Sequence, residues 1–249
     1  MVASSIPNPQ GTTLARNQLG RNLTYGLLEA LGRAIVVGDY KTRPFPTEAE
    51  LAKTHDVSRS VTREAVKMLT AKGLLGARPK QGTFVQPESN WNLFDTDVLR
   101  WLLDRRSSIS LLRQFNELRV AVEPQAAKLA ATRATPPDVA AIGAGLHRMR
   151  EAEAGRDDTL DADIAFHVAV LHASGNPFYA QFRDVVDTAL RTSIRFTNRI
   201  AGRSASIDDH AAVHEAIAAG KPEQAEHAMR NLIDDVLVLI EQVVADDPD

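Results

Sequence analysis

No cysteine occurs anywhere in the 249 residues, which excludes disulfides, thiolate metal sites and a cysteine nucleophile at once. Any metal held by this chain has to use His, Asp or Glu. No apolar run approaches the roughly 20 residues that cross a bilayer, and the stretch from Met1 to Gln18 lacks the basic-then-apolar layout of a secretory signal. The expectation is a cytoplasmic protein with no membrane partner. No repeat of fixed period indicates a solenoid, and no glycine-rich phosphate loop or evident nucleophile indicates a catalyst. What is there is ordinary globular material, 44% hydrophobic and 24% charged, in a chain long enough for one small core and one larger one.

The net charge of −3 hides an asymmetry. Up to Pro87 the chain carries 12 Lys and Arg against 6 Asp and Glu, a net +6, so the remaining 162 residues carry −9. A basic module joined to an acidic one is the balance expected if only the first approaches phosphates. The patterning divides the chain into a flexible tail (1–18), a basic module (19–87), a connector (88–107) and an all-helical domain (108–245). The tail is polar and offers too little apolar surface to offset its ordering entropy.

From Leu19 the apolar residues follow helical steps through Leu23, Leu27, Leu31, Ala34 and Ile35 until Gly38. Thr47 and Glu50 have the spacing of a capping box and open a short second helix. Ser58 is placed to cap a third helix running to Lys72, with Val61, Ala65, Met68 and Leu69 facing inward and Gly73 closing it. Leu74-Leu75 and Thr83-Phe84-Val85 then read as two short strands around a basic turn. Helix, short helix, tight turn, helix and basic hairpin is the order of a winged helix-turn-helix, in which one helix enters the major groove of operator DNA and the wing meets the backbone. On that reading Arg59 and Arg63 point their forks at guanine edges or phosphates, and Ser58, Ser60 and Thr62 offer hydroxyls to phosphate oxygens. Lys67 extends the same face, while Lys80 and Gly82 form the wing tip.

After Pro87 strand signals vanish. Helices are expected at 108–134, 137–154, 159–174, 177–200, 206–219 and 222–245, with Pro124 kinking or dividing the first. The fold class expected is therefore mostly α, a winged helix-turn-helix with a small β-hairpin followed by an all-α bundle. Asp163 and His167 lie four apart, on one helical face, as two ligands of one cation require, and His210 and His214 repeat that spacing. A carboxylate with imidazoles suits zinc, nickel, manganese or iron.

The run Phe45 to Ala52, then Val57 to Ala65, Leu69, Gly73 to Leu75 and Gln81 to Val85 resembles the GntR family of bacterial regulators. Ala49 departs from it, standing where many members have a DNA-contacting Arg. The later pattern of Asp163, Phe166, His167 and Ala173-Ser174-Gly175-Asn176, with His210 and Ala216-Ile217, resembles the helical FCD domain of the FadR-type branch, which often holds a metal. That resemblance selects Asp163, His167 and His210 as ligands. It expects a further His where Leu232 stands, leaving His214, water or effector oxygens to complete coordination. It also implies that Arg119 faces the same cavity and grips an effector carboxylate. The connector from Trp91 to Leu99 looks like that of the family's repressors of sugar-acid catabolism, pointing to an aldonate such as galactonate, and operator half-sites imply a homodimer. Two alternatives stand beside this reading: a metal-dependent hydrolase built on the same three ligands, and a DNA binder whose helical domain only dimerises.

Overall fold

The computed structural model describes residues 9–79, 82–105, 109–191 and 206–246. The chain forms two compact units, Met1–Trp101 and Leu102–Asp249.

The first unit opens with α1 (Pro9–Val37), whose residues Leu27, Leu28, Leu31, Ile35 and Val36 are buried. This helix starts ten residues before the Leu19 that the apolar pattern predicts. Proline is at home in the first helical turn, and no second proline follows to stop the helix. Of the expected tail, residues 1–8 lie outside the described residues. Next come α2 (Glu48–Thr54) and α3 (Arg59–Ala71). The capping box at α2 is formed, with Glu50 N donating to Thr47 Oγ1 at 3.3 Å and Thr47 N donating to Glu50 Oε2 at 2.8 Å. Val61 N donates to Ser58 Oγ at 3.3 Å, which makes Ser58 the cap of α3. The hairpin is β1 (Leu75–Arg78) against β2 (Gly82–Val85), antiparallel from the pair Leu75 with Val85 to the pair Arg78 with Gly82.

The inward stripe of α3 is Thr62, Ala65, Val66 and Leu69. Val61 and Met68, expected there, are only half-buried. The difference arises because Thr62 is a polar residue in a core position: its hydroxyl donates back to Ser58 O at 3.2 Å and needs no water.

Residues 88–101 belong to this first unit. After a short 3₁₀ turn (Glu88–Asn90), α4 (Thr96–Leu103) begins. Lys72 Nζ donates to Asp95 and Asp97, each at 2.8 Å. Arg100 bonds both carboxylate oxygens of Glu29, at 2.9 and 2.7 Å, and Trp101 Nε1 adds a third bond to Glu29 at 2.9 Å. The Trp101 ring lies directly on Gly32 of α1, where any Cβ would fall 2.3 Å from ring carbons. The expected connector is thus, through Trp101, part of the winged unit.

The second unit contains, among the described residues, α5 (Ile109–Arg133), α6 (Pro136–Glu153), α7 (Thr159–Ala173), α8 (Pro177–Gln181), α9 (183 to 191, as far as the described residues run), α10 (Ile207–Ala218) and α11 (Pro222–Asp246). Thr135 caps α6 in a second capping box with Asp138. Asn176 caps α8, with Phe178 N donating to its Oδ1 at 3.0 Å. α5 runs as one element through Pro124, not as two helices. The expected helix 177–200 is instead broken at Phe182, where Phe182 N turns back to Tyr179 O at 3.0 Å. α5 packs on α11, α6 on α7, and α10 on α11, α6 and α5. Their core includes Ile142, Leu146, Phe166, Val170, Val213 and Met229. No described helix is long and apolar enough to cross a membrane.

Candidate nucleic-acid interface and metal centre

The capped N-terminus of α3 presents Ser58, Arg59, Ser60 and Arg63 to solvent, with Lys67 one turn further on. The Ser58 and Ser60 hydroxyls lie 2.8 Å apart and share a hydrogen bond. Arg63 reaches Glu48 of α2 at 3.4 Å, but both ends are open, 64% and 39% exposed, so the pair is weak and the guanidinium remains available. Lys67 is similarly exposed, 3.7 Å from Glu64. Thr62 must be corrected: it is fully buried and its hydroxyl is spent on Ser58 O, so it offers nothing to a phosphate. Gly82 sits in the left-handed region at φ 79 with open space where a side chain would be, as a wing turn requires. Lys80 lies outside the described residues. Arg78, on the first strand of the wing, stacks its guanidinium over Phe84 at 4.6 Å.

In the second unit α7 brings Asp163 and His167 inward, and α10 brings His210 to meet them. All three are buried, and one ligand atom from each lies within 4.8 Å of the others. His210 Nε2 is 3.1 Å from Asp163 Oδ1, and His167 Nε2 is 3.9 Å from the same oxygen. The outer nitrogen of each ring is already engaged. His210 Nδ1 is 2.6 Å from the Ser206 carbonyl, and His167 Nδ1 is 2.6 Å from Glu123 Oε2. A carbonyl or a carboxylate can only accept, so both Nδ1 atoms carry the proton, and in neutral rings both Nε2 atoms are acceptors. His210 Nε2 has no hydrogen-bond partner although it is buried. Arg119 Nη2 reaches His167 Nε2 at 3.3 Å but leaves His210 Nε2 without a donor, and a buried acceptor beside a carboxylate oxygen favours a further cation there. A site of two imidazoles and one carboxylate with outer nitrogens tied down fits a divalent metal.

Behind this triad lies a second buried layer, in which Arg119 was expected at the cavity while Glu123 and Asn116 were missed by sequence reading. Arg119 is only 2% exposed. Its Nε donates to Glu123 Oε1 at 2.6 Å, its Nη2 to Glu123 Oε2 at 3.3 Å, and its Nη1 to Asn116 Oδ1 at 3.2 Å. Burial pushes the Glu123 carboxyl up, but the charges of Arg119 and His167 outweigh it and hold it at about 2. Asp163 likewise ends below its ordinary value, because His210, His167 and Arg119 outweigh its burial. The one sequence signal for Glu123 is its spacing of four from Arg119, on one face of α5.

His214 does not join the triad. It is half-buried one turn along α10, its ring against α6, where a Cβ on Gly143 would meet Nε2 at 3.2 Å. Leu232 is a core residue of α11. A cleft of about 410 Å³ borders α7 at Asp161, Ile164, Ala165 and Val168, a different helical face from Asp163 and His167. Its Arg148 and Arg191 are paired with Asp157, and with Asp161 and Asp187.

A winged helix-turn-helix followed by a helical bundle with a buried polar centre defines a DNA-binding transcription regulator. Residues 26–85 match the model of the bacterial regulatory proteins of the gntR family, and residues 114–235 match the FCD domain. The chain belongs to the GntR family, in its FCD-bearing, FadR-type branch. It is 34% identical over 215 residues to the galactonate operon transcriptional repressor of Escherichia coli K12, covering 85% of this chain and 94% of that one. It is 33% identical over 216 residues to the uncharacterized HTH-type transcriptional regulator YieP of the same organism, covering 86% and 93%. The solved structure of E. coli McbR/YncC shares the fold, with a TM-score of 0.50 at 18% identity over 89% of this chain and 98% of that one. The family is one of regulators, not enzymes, so the hydrolase alternative falls.

Proposed function

We propose that this chain is a cytoplasmic repressor of sugar-acid catabolism, released from its operator by a small carboxylate effector, an aldonate such as galactonate. It works as a homodimer, and Asp163, His167 and His210 hold a divalent metal, zinc first, with nickel or manganese as the other fits. The observation that carries the sensor half is the convergence of Asp163, His167 and His210 on one buried point, where His210 Nε2 has no hydrogen-bond partner. The similarity to the galactonate operon repressor supports the effector class.

Each α3 inserts into a major groove, with Arg59 and Arg63 reading base edges and Ser58, Ser60 and Lys67 holding phosphates. The wing residues Lys80 and Gly82 add a backbone contact. In the helical domain an effector carboxylate shares Arg119 with Glu123, and the metal, when bound, supplies Lewis-acid positions for effector oxygens. With Leu232 where the resemblance expects a fourth ligand, protein groups fill only three positions and leave room for those oxygens. Release from DNA is a coupling between the two equilibria, so the DNA must weaken effector binding as much as the effector weakens DNA binding.

The test is titration of the purified protein onto the intergenic DNA upstream of its own gene, at fixed salt, with and without a panel of sugar acids. Specific binding released by one aldonate is the expected result. Binding that every acid leaves unchanged would refute the sensor and favour a helical domain that only dimerises, while absence of specific binding would refute the operator assignment.

A further inference from the structure

Three ligands do not account for the buried layer behind them. We infer that Glu123 is the positioning residue of the metal centre: its carboxylate, gripped by Arg119, takes the Nδ1–H of His167 and leaves Nε2 as the atom that faces the metal. The inference rests on the metal reading above and adds a residue that reading does not use.

A histidine has two nitrogens and can offer a metal either one, so something must decide which carries the proton. At His210 the Ser206 carbonyl decides, at 2.6 Å. At His167 the corresponding atom is Glu123 Oε2, also at 2.6 Å, whereas Arg119 Nη2 lies 3.3 Å from both ring nitrogens and so does not choose between them. Glu123 is itself held in place, because Arg119 bonds both its oxygens and is braced by Asn116, whose Nδ2 donates to Leu112 O at 2.9 Å. A chain of contacts therefore runs along α5 from Leu112 through Asn116, Arg119 and Glu123, and crosses to α7 at His167. The carboxylate is only 1% exposed, and a structural ion pair with Arg119 would be complete without contact to the imidazole. A carboxylate acceptor also makes the far nitrogen a more basic ligand than a carbonyl does, and loss of such outer partners typically weakens metal binding on the order of 10- to 100-fold.

The experiment uses the full-length protein, stripped with chelator and titrated with Zn²⁺ or Ni²⁺ against a chromophoric competitor. Glu123→Gln should bind metal about 10- to 100-fold more weakly than wild type. Since it leaves Arg119 buried without its anion, the Arg119→Gln/Glu123→Gln double variant, which removes both charges together, is run beside it and should show the same loss. Thermal melting of the metal-free proteins establishes that each variant is folded. Long-range ¹H–¹⁵N correlation on metal-free wild type supplies a readout that needs no variant: with its ring neutral, His167 should carry its proton on Nδ1. A folded Glu123→Gln protein with wild-type metal affinity, or a His167 protonated on Nε2, overturns the inference while the metal reading stands. Wild type that takes up neither ion overturns both.

Discussion

Gly32 and Gly26 lie on the same helix and should respond to alanine with opposite signs. Propensity alone favours alanine at either position by about 1 kcal/mol. At Gly26 nothing lies within 4 Å of the new methyl group, so that preference should appear as a gain of roughly 0.4–1 kcal/mol. At Gly32 the methyl would sit 2.3 Å from two ring carbons of Trp101 and 2.7 Å from a third. The ring is 2% exposed and tied through Nε1 to Glu29, so it has nowhere easy to go. Overpacking costs about 1–3 kcal/mol, and a displacement of this size falls at the upper end. Expelling the ring instead would forfeit about 3–5 kcal/mol of burial. The cheaper route wins, and after the propensity gain Gly32→Ala should destabilise the first unit by about 2 kcal/mol, which lowers its melting temperature by on the order of 10 °C. Trp91 and Trp101 are the chain's only tryptophans and both lie in the first unit, so intrinsic tryptophan fluorescence follows that unit alone. If Gly32→Ala melts at or above wild type, the seat of Trp101 on α1 is wrong.

Other outcomes can be checked on the same protein. Arg59→Ala and Arg63→Ala should each weaken operator binding by about 1–3 kcal/mol, measured by fluorescence anisotropy at fixed salt, with the melting temperature scarcely moved, since both side chains are exposed. Thr62→Val should do the reverse, leaving DNA affinity close to wild type and costing about 1 kcal/mol of stability for the lost bond to Ser58 O; a Thr62→Val protein that melts normally but releases DNA would restore the phosphate contact. Glu29 is held at about 2 chiefly by its hydrogen bonds to Arg100. Its folded value lies below its unfolded one, so its stabilisation is complete above about pH 4.5 and is lost as the pH falls toward 2. Acid titration should therefore loosen Trp101, detected by fluorescence, in a salt-dependent way that Glu29→Gln removes.

Local chemistry was legible in the sequence, and tertiary chemistry was not. The capping box at Thr47, the Ser58 cap and the Gly73 stop depend on residues within a turn of each other, and each formed as read. Asp163 and His167 were found for the same reason, a spacing of four on one helix. His210, on another helix, could be joined to them only through the family resemblance, because nothing local records which faces will meet. Glu123 had no such help, and its role appears only when α5 is packed on α7. Thr62 was misplaced because polarity was taken as exposure, whereas a hydroxyl that bonds its own helix can occupy a core position. The break at Phe182 and the early start of α1 were missed because helical periodicity marks neither, and the connector's attachment depends on Lys72, Glu29 and Gly32, all distant from it in the chain.

The buried charges argue for what the site should bind. Asp163 and Glu123 are both held in their ionised form, and against them stands one guanidinium, Arg119, none of the three more than 5% exposed. Once the imidazoles are neutral, as metal ligands must be, Asp163, Glu123 and Arg119 leave one negative charge away from water, a costly state that imidazole protonation would otherwise relieve. A divalent ion reverses the excess to a single positive charge, the complement of a monocarboxylate. Unit charges about 4 Å apart attract by roughly 4 kcal/mol at an effective dielectric of about 20, and desolvation of the acid takes back much of that. About 1.4 kcal/mol, or tenfold in affinity, is the scale that should survive. Calorimetry with galactonate should therefore show about tenfold tighter binding to metal-loaded than to chelator-stripped protein, and the neutral galactonolactone should gain nothing from the metal. If the lactone gains as much as the acid, charge is not what the centre reads, and the carboxylate effector must be abandoned.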